Sequence, residues 1–327
     1  MRLLLLAGGG GTRLWPLSTE DRPKQFLPLL SSKSLLRETY ERVLPVSADL
    51  FVATSARHAA LVRAELPEVP GDRILTEPVR RNSGPAILAA ALRFSADGDP
   101  VTAAIPSDQT VRDGDAFRRA LREAESLADA ASVVLLLAVP TRVEPDYGYV
   151  EHRAGRVTGF TEKPDRERAR ELAGSGRHFW NAGIFVFRPS RLLAEARRVA
   201  GDLVEGASRW VESGSAADYE RLPDISIDFA VMEKISGIRA IPLDAGWSDV
   251  GTWRSVRDLR REKDPNGNLV ISPVPVLAPG LKDAAVVVGA SGVLVLPFER
   301  EGELRDAVNG LRPAEASSAP REEPRPA

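Results

Sequence analysis

A short apolar run that ends in four glycines opens the chain and restricts the fold more than any other feature. Residues 3–6 are all leucine, and such a continuous run is typical of a buried strand in a parallel sheet. The run leads through Ala7 into Gly8, Gly9, Gly10 and Gly11. Glycines let backbone N–H groups turn toward a ligand, and successive N–H groups form an anion site. The opening therefore predicts a strand followed by a phosphate-binding loop.

Two basic residues follow the glycines at fixed offsets. Arg13 and Lys24 would add mobile positive charge beside a polyphosphate, the arginine as a planar fork and the lysine as a point charge. The alternative is a flexible glycine turn with both cations solvated, which is a common fate of an isolated glycine cluster.

Composition describes an ordinary globular protein of moderate size. The 327 residues are enough for one main domain with a smaller appendage. A net charge of −2 gives no reason to expect a nucleic-acid partner or an anionic membrane surface. The sequence holds no cysteine, which excludes disulfides, a thiolate nucleophile and a cysteine–zinc site. The leucine run is too short for a membrane span or a secretory signal, so a cytoplasmic location is the default expectation.

Apolar runs and amphipathic segments alternate in the first 138 residues. This alternation predicts a doubly wound α/β sheet, with ligands at the carboxyl edge of the strands. The predicted strands cover residues 1–7, 50–53, 74–76, 101–105 and 133–138, and the predicted helices cover residues 34–43, 56–65, 84–94 and 115–128.

The pattern becomes mixed after residue 147. Strands are predicted at 148–151, 157–160 and 183–187, and helices at 165–173, 189–200, 227–235 and 252–262. Residues 265–312 are predicted to form a small β-rich domain, with strands at 284–288 and 293–296 and a helix at 303–311. The main domain would then cover residues 1–264, and the Pro-, Ala- and Glu-rich residues 313–327 should be disordered.

An acidic residue, Glu77, stands between a predicted strand and helix at the same sheet edge as the glycine loop. Guanine presents two adjacent donors, so a carboxylate suits it, whereas adenine and uracil offer a donor beside an acceptor. Glu77 could read such a base, and Gly84 could let the base lie against backbone. On this segment alone, a solvated acid at a strand end is the simpler interpretation.

Two aspartates occupy similar junctions. Asp108 follows a predicted buried strand, and Asp249 lies in a loop before a predicted helix. Two carboxylates with phosphate oxygens and water would make an octahedral oxygen site that suits Mg²⁺. Alternatively, each could cap a helix, which is the more common role of aspartate before a helix.

Three further segments could bind a sugar phosphate. Glu162 and Asn181 could serve hydroxyl groups, Lys163 could serve a phosphate, and Gly148 leaves room for a sugar ring. Alternatively, Glu162 and Lys163 are a surface ion pair. The three histidines show no ligand spacing, and we assign them no role.

Several segments also resemble a known family. The residues TRLWPLS at 12–18 and PKQFL at 23–27, with EPVRRNSGPA at 77–86, resemble the sugar-1-phosphate nucleotidyltransferases, in particular the mannose-1-phosphate guanylyltransferase branch. The resemblance extends over about residues 1–264. It departs from the family directly after Ser18, where an arginine is common and Thr19-Glu20-Asp21-Arg22 stands instead, and at Ser83-Gly84, where Thr-Ala is usual.

The resemblance implies a Rossmann-like, glycosyltransferase-A-like domain with a mixed central sheet and a β-rich C-terminal appendage. It implies Mg²⁺-dependent transfer of GMP from GTP to mannose 1-phosphate, with no general base, giving GDP-mannose and pyrophosphate. The implied roles are catalysis for Arg13 and Lys24; nucleotide binding for Ala7, Gly8, Gly9, Gly11, Thr12, Glu77, Asn82 and Gly84; sugar-phosphate binding for Gly148, Glu162, Lys163 and Asn181; and metal binding for Asp108 and Asp249.

Two alternatives stay open at this point. The same chemistry could act on another sugar 1-phosphate, such as a manno-heptose 1-phosphate, or use another base. The chain could instead be a catalytically silent sugar-nucleotide sensor, although Arg13, Lys24, Asp108 and Asp249 are all present. Because the chain ends without a cupin-like domain, we expect no isomerase activity. A homodimer is compatible with the sequence.

Overall fold

The computed structural model describes residues 1–10, 12–260 and 264–311. Gly11 and the predicted disordered tail at 313–327 lie outside the described residues, as does the end of the helix predicted for 252–262.

A nine-stranded mixed sheet forms the centre of the molecule, with the strand order β3-β2-β1-β4-β9-β6-β10-β8-β7. The strands are β1 Arg2–Leu6, β2 Leu50–Ser55, β3 Ile74–Glu77, β4 Thr102–Pro106, β5 Thr110–Val111, β6 Val134–Ala138, β7 Tyr149–Arg153, β8 Arg156–Thr161, β9 His178–Phe187, β10 Arg239–Leu243, β11 Trp247–Ser248, β12 Leu269–Ile271, β13 Ala284–Gly289 and β14 Gly292–Pro297. The first four strands in this order are parallel, and β9 is antiparallel to both β4 and β6. The predicted mixed α/β sheet is therefore confirmed.

Helices cover both faces of this sheet. They are α1 Leu35–Val43, α2 Ala59–Glu65, α3 Ser83–Ala96, α4 Gly114–Leu127, α5 Arg166–Gly174, α6 Pro189–Val199, α7 Gly201–Ser213 and α8 Ala216–Glu220. Two further helices, α9 Trp253–Leu259 and α10 Leu304–Asn309, share a separate buried cluster with the C-terminal strands. Leu3 and Leu5 belong to one buried cluster and Leu4 to the other, because successive side chains of a strand point to opposite faces. The continuous leucine run thus reflects a strand that is buried on both sides.

A small three-stranded sheet, β12-β13-β14, lies at the C-terminal end of the chain. Its Leu294 and Leu296 share a third buried cluster with Leu14, just after the glycine loop, and with Trp253 of α9. A Cβ at Gly289 would lie 2.9 Å from the carbonyl oxygen of Pro16, so the small sheet closely approaches this segment. The small sheet therefore supports the segment that follows the glycine loop.

Some elements differ from the sequence prediction. Strand β9 begins at His178 rather than at residue 183, which puts Asn181 inside a strand. The helix predicted for 227–235 is a π-helical turn, Asp228–Met232.

Helix α7 and strand β10 were not predicted. Helix α7 contains Gly201 and Gly206, which weaken helix propensity, and burial of Leu203 and Trp210 offsets this weakness. Strand β10 contains Pro242, which usually marks the end or edge of a strand. It pairs fully with β6 but meets β8 only at Arg239, so Pro242 has a strand neighbour on one side only.

Among the described residues, no helix combines the length and the apolar character that a membrane span requires.

Candidate active site

The carboxyl edge of the central sheet brings together the residues predicted to bind a nucleotide. The glycine loop follows β1, Glu77 ends β3, and Asp108 follows β4. Leu6 and Pro106 are register partners at this edge, so the segments that follow β1 and β4 start side by side. A cavity of about 180 Å³ opens here, lined by residues that include Gly8, Gly9, Gln25, Glu77, Arg80, Asn82 and Asp108.

Glu77 is buried in this cavity, with 7% of its surface exposed. It accepts a hydrogen bond from the hydroxyl of Tyr219. Burial raises the pKa of the Glu77 carboxyl to about 7, although the bond from Tyr219 and the charge of Arg80 act in the opposite direction. The interpretation of Glu77 as a solvated acid at a strand end is therefore wrong.

Lys24 is also buried, with 7% of its surface exposed. Its Nζ lies 3.1 Å from Oδ2 of Asp108 and donates a hydrogen bond of 2.6 Å to the backbone carbonyl of Asp249. The prediction of a mobile or solvated lysine is therefore wrong. A short 3-10 turn, Lys24–Phe26, holds the residue in the fold, and its ammonium group joins the two aspartate segments.

Gln25 braces the glycine loop. Its Nε2 donates to the carbonyl oxygens of Ala7 and Gly9, each at 2.9 Å, and its buried Oε1 has no hydrogen-bond partner among the described residues. Sequence reasoning did not assign a role to Gln25, although it lies directly beside Lys24 in the quoted PKQFL segment. It fixes the loop that Gly8 and Gly9 present to the cavity.

A second arginine lies across the glycine loop. A Cβ at Gly10 would overlap the Arg80 guanidinium, and Arg80 lines the cavity. The predicted cation Arg13 is exposed on the 3-10 turn Thr12–Leu14 and lines neither this cavity nor the larger one described below. The predicted residue Gly11 lies outside the described residues, so its role stays a prediction, as does that of Thr12.

Neither Asp108 nor Asp249 caps a helix. Asp113 caps α4, and Thr252 caps α9 in a capping box with Ser255. Oδ1 of Asp249 instead accepts a hydrogen bond of 3.0 Å from the Gly251 backbone N–H. The capping alternative is therefore wrong for both aspartates.

Tyr147 also donates a hydrogen bond to Oδ1 of Asp249. The Tyr147 ring packs edge-on against Trp180 and Trp247, with centroids 5.1 and 5.6 Å away. Burial and the nearby Asp249 charge raise the pKa of the Tyr147 phenol, which keeps it protonated as a donor. Three aromatic rings therefore fix the orientation of Asp249.

A larger, more open cavity of about 760 Å³ lies beside the first. It is lined by all four residues predicted to bind a sugar phosphate, Gly148, Glu162, Lys163 and Asn181, and by Asp249. Asn82 lines both cavities, so the two adjoin at this residue. Lys163 Nζ lies 3.4 Å from Oε1 of Glu162, so these residues form an ion pair and also face the cavity.

The space that a side chain would fill at Gly148 and at Gly84 is occupied by protein atoms rather than left open for a ligand. A Cβ at Gly148 would lie 2.5 Å from Oε2 of Glu162, so the open side of this glycine is taken by the carboxylate. A Cβ at Gly84 would lie 2.6 Å from the carbonyl oxygen of Ile225, and Gly84 N–H donates to that oxygen at 3.0 Å. The open side of Gly84 therefore faces backbone rather than the first cavity.

Asp228 was missed by sequence reasoning. It begins the π-helical turn, lines the larger cavity, and accepts a 2.7 Å hydrogen bond from Nδ2 of Asn181. Oδ1 of Asn181 accepts from the Gly183 backbone N–H at 3.0 Å, so both ends of this amide are oriented. Burial raises the pKa of Asp228. The sequence predicted an ordinary helix here, and its pattern does not report the π-helical turn that presents Asp228.

Among the described residues, no three His, Cys, Asp or Glu side chains form a cluster that could hold a metal ion. Any metal at Asp108 and Asp249 would therefore need further ligands from substrate and water.

Comparison with known proteins agrees with this geometry. The sequence profile of the family described as Nucleotidyl transferase matches residues 2–264. The chain is 38% identical to the xanthan biosynthesis protein XanB of Xanthomonas campestris pv. campestris, over 97% of this chain and 74% of that protein. It is 33% identical to a mannose-1-phosphate guanylyltransferase of Klebsiella pneumoniae, over 94% of this chain and 73% of that protein.

A solved structure has a similar fold over nearly its whole length. This Thermus thermophilus protein, described as a mannose-1-phosphate geranyltransferase, superposes with a TM-score of 0.86 at 33% identity. The superposition covers 94% of this chain and 98% of the Thermus chain.

Proposed function

This chain belongs to the nucleotidyl transferase family and is a sugar-1-phosphate nucleotidyltransferase, and we propose that it transfers GMP from GTP to mannose 1-phosphate. The observation that carries the proposal is the meeting of two cavities at Asn82, with Lys24 joined to Asp108 in one and to the Asp249 segment in the other. GTP would occupy the smaller cavity and mannose 1-phosphate the larger. The products would be GDP-mannose and pyrophosphate.

The smaller cavity has the polarity that guanine requires. A guanine edge presents two adjacent N–H donors, and the Glu77 carboxylate offers acceptor oxygens inside the cavity. The glycine loop and Arg80 at the other side would receive the triphosphate. Relatives named mannose-1-phosphate guanylyltransferase support the same choice of base.

The larger cavity has the groups that a hexose phosphate requires. Glu162 and Asp228 offer carboxylate acceptors, and the oriented amide of Asn181 offers both a donor and an acceptor. Lys163 would receive the sugar phosphate. The relatives named mannose-1-phosphate guanylyltransferase also favour mannose over other sugars.

The reaction then depends on alignment and charge. The attacking oxygen belongs to a sugar phosphate that is already anionic, so no general base is needed at the α-phosphorus. The adjoining cavities would place this oxygen beside the triphosphate, which lowers the entropic part of the barrier. Lys24 would offset negative charge that develops in the transition state and on the leaving pyrophosphate.

A divalent cation fits the chemistry of the two aspartates. Asp108 and Asp249 present hard oxygen ligands to the two adjoining cavities, and Mg²⁺ prefers such ligands together with phosphate oxygens and water. When bound, Mg²⁺ would supply positive charge to the phosphate oxygens. Tyr147 would keep the Asp249 carboxylate turned toward the larger cavity.

The test is pyrophosphate release in a grid of four nucleoside triphosphates against mannose, glucose and manno-heptose 1-phosphates, with Mg²⁺ present. We expect release with GTP and mannose 1-phosphate only. Release with another pair would keep the reaction and change the specificity. If no pair releases pyrophosphate while GDP-mannose still binds, the proposal fails and a sensor role is favoured.

A further inference from the structure

We propose that Tyr219 is a positioning residue for selection of the nucleotide base, because its hydroxyl holds one oxygen of Glu77 and leaves the other directed at the cavity. This inference rests on the proposed function of Glu77 as the residue that reads guanine. Nothing in the sequence pattern of the Tyr219 segment indicated such a role.

The two oxygens of Glu77 have different surroundings. Oε2 accepts the hydrogen bond from Tyr219, whereas Oε1 lies 3.6 Å from the position that a Cβ would take at Gly8. Oε1 is therefore the oxygen beside the glycine loop, where a nucleotide would enter. A carboxylate held at one oxygen has lost most of its freedom to rotate, and it presents the other oxygen in a fixed direction.

The Tyr219 ring is itself held rigidly. Its side chain is fully buried in α8 and packs edge-on against Trp210 of α7, with ring centroids 4.4 Å apart. The segment after α8 is fastened to the start of α3, where Gly84 N–H donates to Ile225 O and Ser83 Oγ accepts from Ile227 N–H. The Tyr219 hydroxyl that donates to Glu77 is therefore held in a fixed position by the fold.

The charge state of Glu77 matters for its proposed role. When Glu77 is ionised, its free oxygen Oε1 can accept from the guanine donors, whereas a neutral carboxyl group can carry its proton on that oxygen and oppose them. The groups that face Glu77 are Tyr219, Arg80 on the loop after β3, Asp108 across the cavity, and Arg93 of α3, which shares a small cavity with Glu77. The Tyr219 hydrogen bond and the Arg80 charge favour ionisation, and burial opposes it.

Tyr219 can act only as the donor in this pair. Burial and the adjacent Glu77 raise the pKa of the Tyr219 phenol, so it keeps its proton throughout the pH range in which Glu77 titrates. Removal of this donor should therefore leave the carboxyl group neutral to a higher pH.

The experiment measures KM for GTP and kcat between pH 6 and 9 in the wild type, Tyr219→Phe and Tyr40→Phe. In the wild type, KM for GTP should fall as pH rises through the titration of Glu77. In Tyr219→Phe, the midpoint of this fall should move up by about one pH unit, which raises KM about fivefold at pH 7. The kcat at saturating GTP should stay within about twofold, because Tyr219 is not proposed to contact the phosphates.

Tyr40→Phe is the matched control, since it removes the hydroxyl of another buried tyrosine, which belongs to α1 and to a different buried cluster from Tyr219. It should leave the midpoint unchanged. A Tyr219→Phe enzyme whose KM rises equally at every pH, as expected for a packing defect, would overturn the proposal.

A second substitution keeps the test valid if Tyr219→Phe does not fold. Incorporation of 3-fluorotyrosine at position 219 retains the ring and makes the phenol a stronger donor, so the midpoint should move to lower pH. An unchanged midpoint would overturn the proposal. Failure of the proposed function looks different, because the wild-type enzyme would then show no preference for GTP at any pH.

Discussion

Lys24 and Asp108 form a partly buried ion pair, with Lys24 Nζ 3.1 Å from Asp108 Oδ2, and Asp108 lines the same cavity as the glycine loop. The same ammonium group donates to the backbone carbonyl of Asp249. One side chain therefore connects the Asp108 and Asp249 segments, which are more than a hundred residues apart in sequence. If Mg²⁺ binds at these aspartates, Lys24 also helps to hold their two segments together.

Replacement of Lys24 by methionine should lower kcat by about 10²- to 10³-fold, because it removes the positive charge that we propose to act beside the reacting phosphates. The fold should persist, since methionine fills most of the same volume. Pyrophosphate release and thermal unfolding together measure these effects. Lys33→Met is the matched control, because Lys33 forms an exposed ion pair with Glu41 at 2.6 Å, away from the site. Equal kcat values for the two variants would contradict the role of Lys24.

Asp108→Asn should abolish most turnover and leave the fold intact. The substitution keeps the shape of the side chain but removes the charge that pairs with Lys24 and that would bind the metal. The measurement is pyrophosphate release as a function of Mg²⁺ concentration. Asp129→Asn is a suitable control, since Asp129 pairs with Arg188 at 2.5 Å on the surface. Near-normal rates of Asp108→Asn at saturating Mg²⁺ would refute the metal assignment.

Glu77 should make the stability of the protein depend on pH. Its pKa is about 7 in the folded state against an ordinary 4.5, so between these values the folded protein keeps a proton that the unfolded chain loses. The contribution of Glu77 to the free energy of unfolding is therefore fully present below pH 4.5 and is lost as pH rises through 7. The free energy of unfolding should fall by about 3 kcal/mol over this range. Urea unfolding at several pH values, compared between wild type and Glu77→Gln, measures this difference.

In the Glu77→Gln variant this pH-dependent part should disappear. A difference between the two proteins that stays constant from pH 5 to 8 would show that Glu77 does not titrate in this range. The same variant should also discriminate less well between GTP and UTP or dTTP. An unchanged nucleotide preference would remove Glu77 as the base reader, whatever its effect on stability.

The sequence predicted the parts of the site that lie on regular elements. The leucine strand, the glycine loop and Asp108 could be placed because parallel strands end at one edge of a sheet. Local residue patterns are enough to place these parts, so they could be predicted without knowledge of tertiary contacts.

The remaining parts depend on contacts between distant segments. The burial of Lys24 follows from its bonds to Asp108 and to Asp249, and no local pattern reports such bonds. Tyr219 lies in a short helix that was not predicted, and the ordinary helix predicted around Asp228 is a π-helical turn. Their positions result from packing on α3 and β9, which residue spacing does not encode.

Gly84→Ala should destabilise the protein by about 1–3 kcal/mol, because the new Cβ would lie 2.6 Å from the Ile225 carbonyl oxygen and the backbone would have to move. Gly201→Ala is the matched control at the start of α7, where no atom lies within 4 Å of the added Cβ. There the change should be neutral or stabilising by up to about 1 kcal/mol. Urea unfolding at a fixed pH compares the two variants.

The Gly84 substitution should also raise KM for both substrates. The strained contact joins the start of α3, beside the first cavity, to the segment that continues into Asp228 in the second. Movement of that contact would therefore disturb the nucleotide and sugar sites together. If Gly84→Ala is as stable as Gly201→Ala and both KM values are unchanged, the contact between Gly84 and Ile225 does not set the spacing of the two cavities.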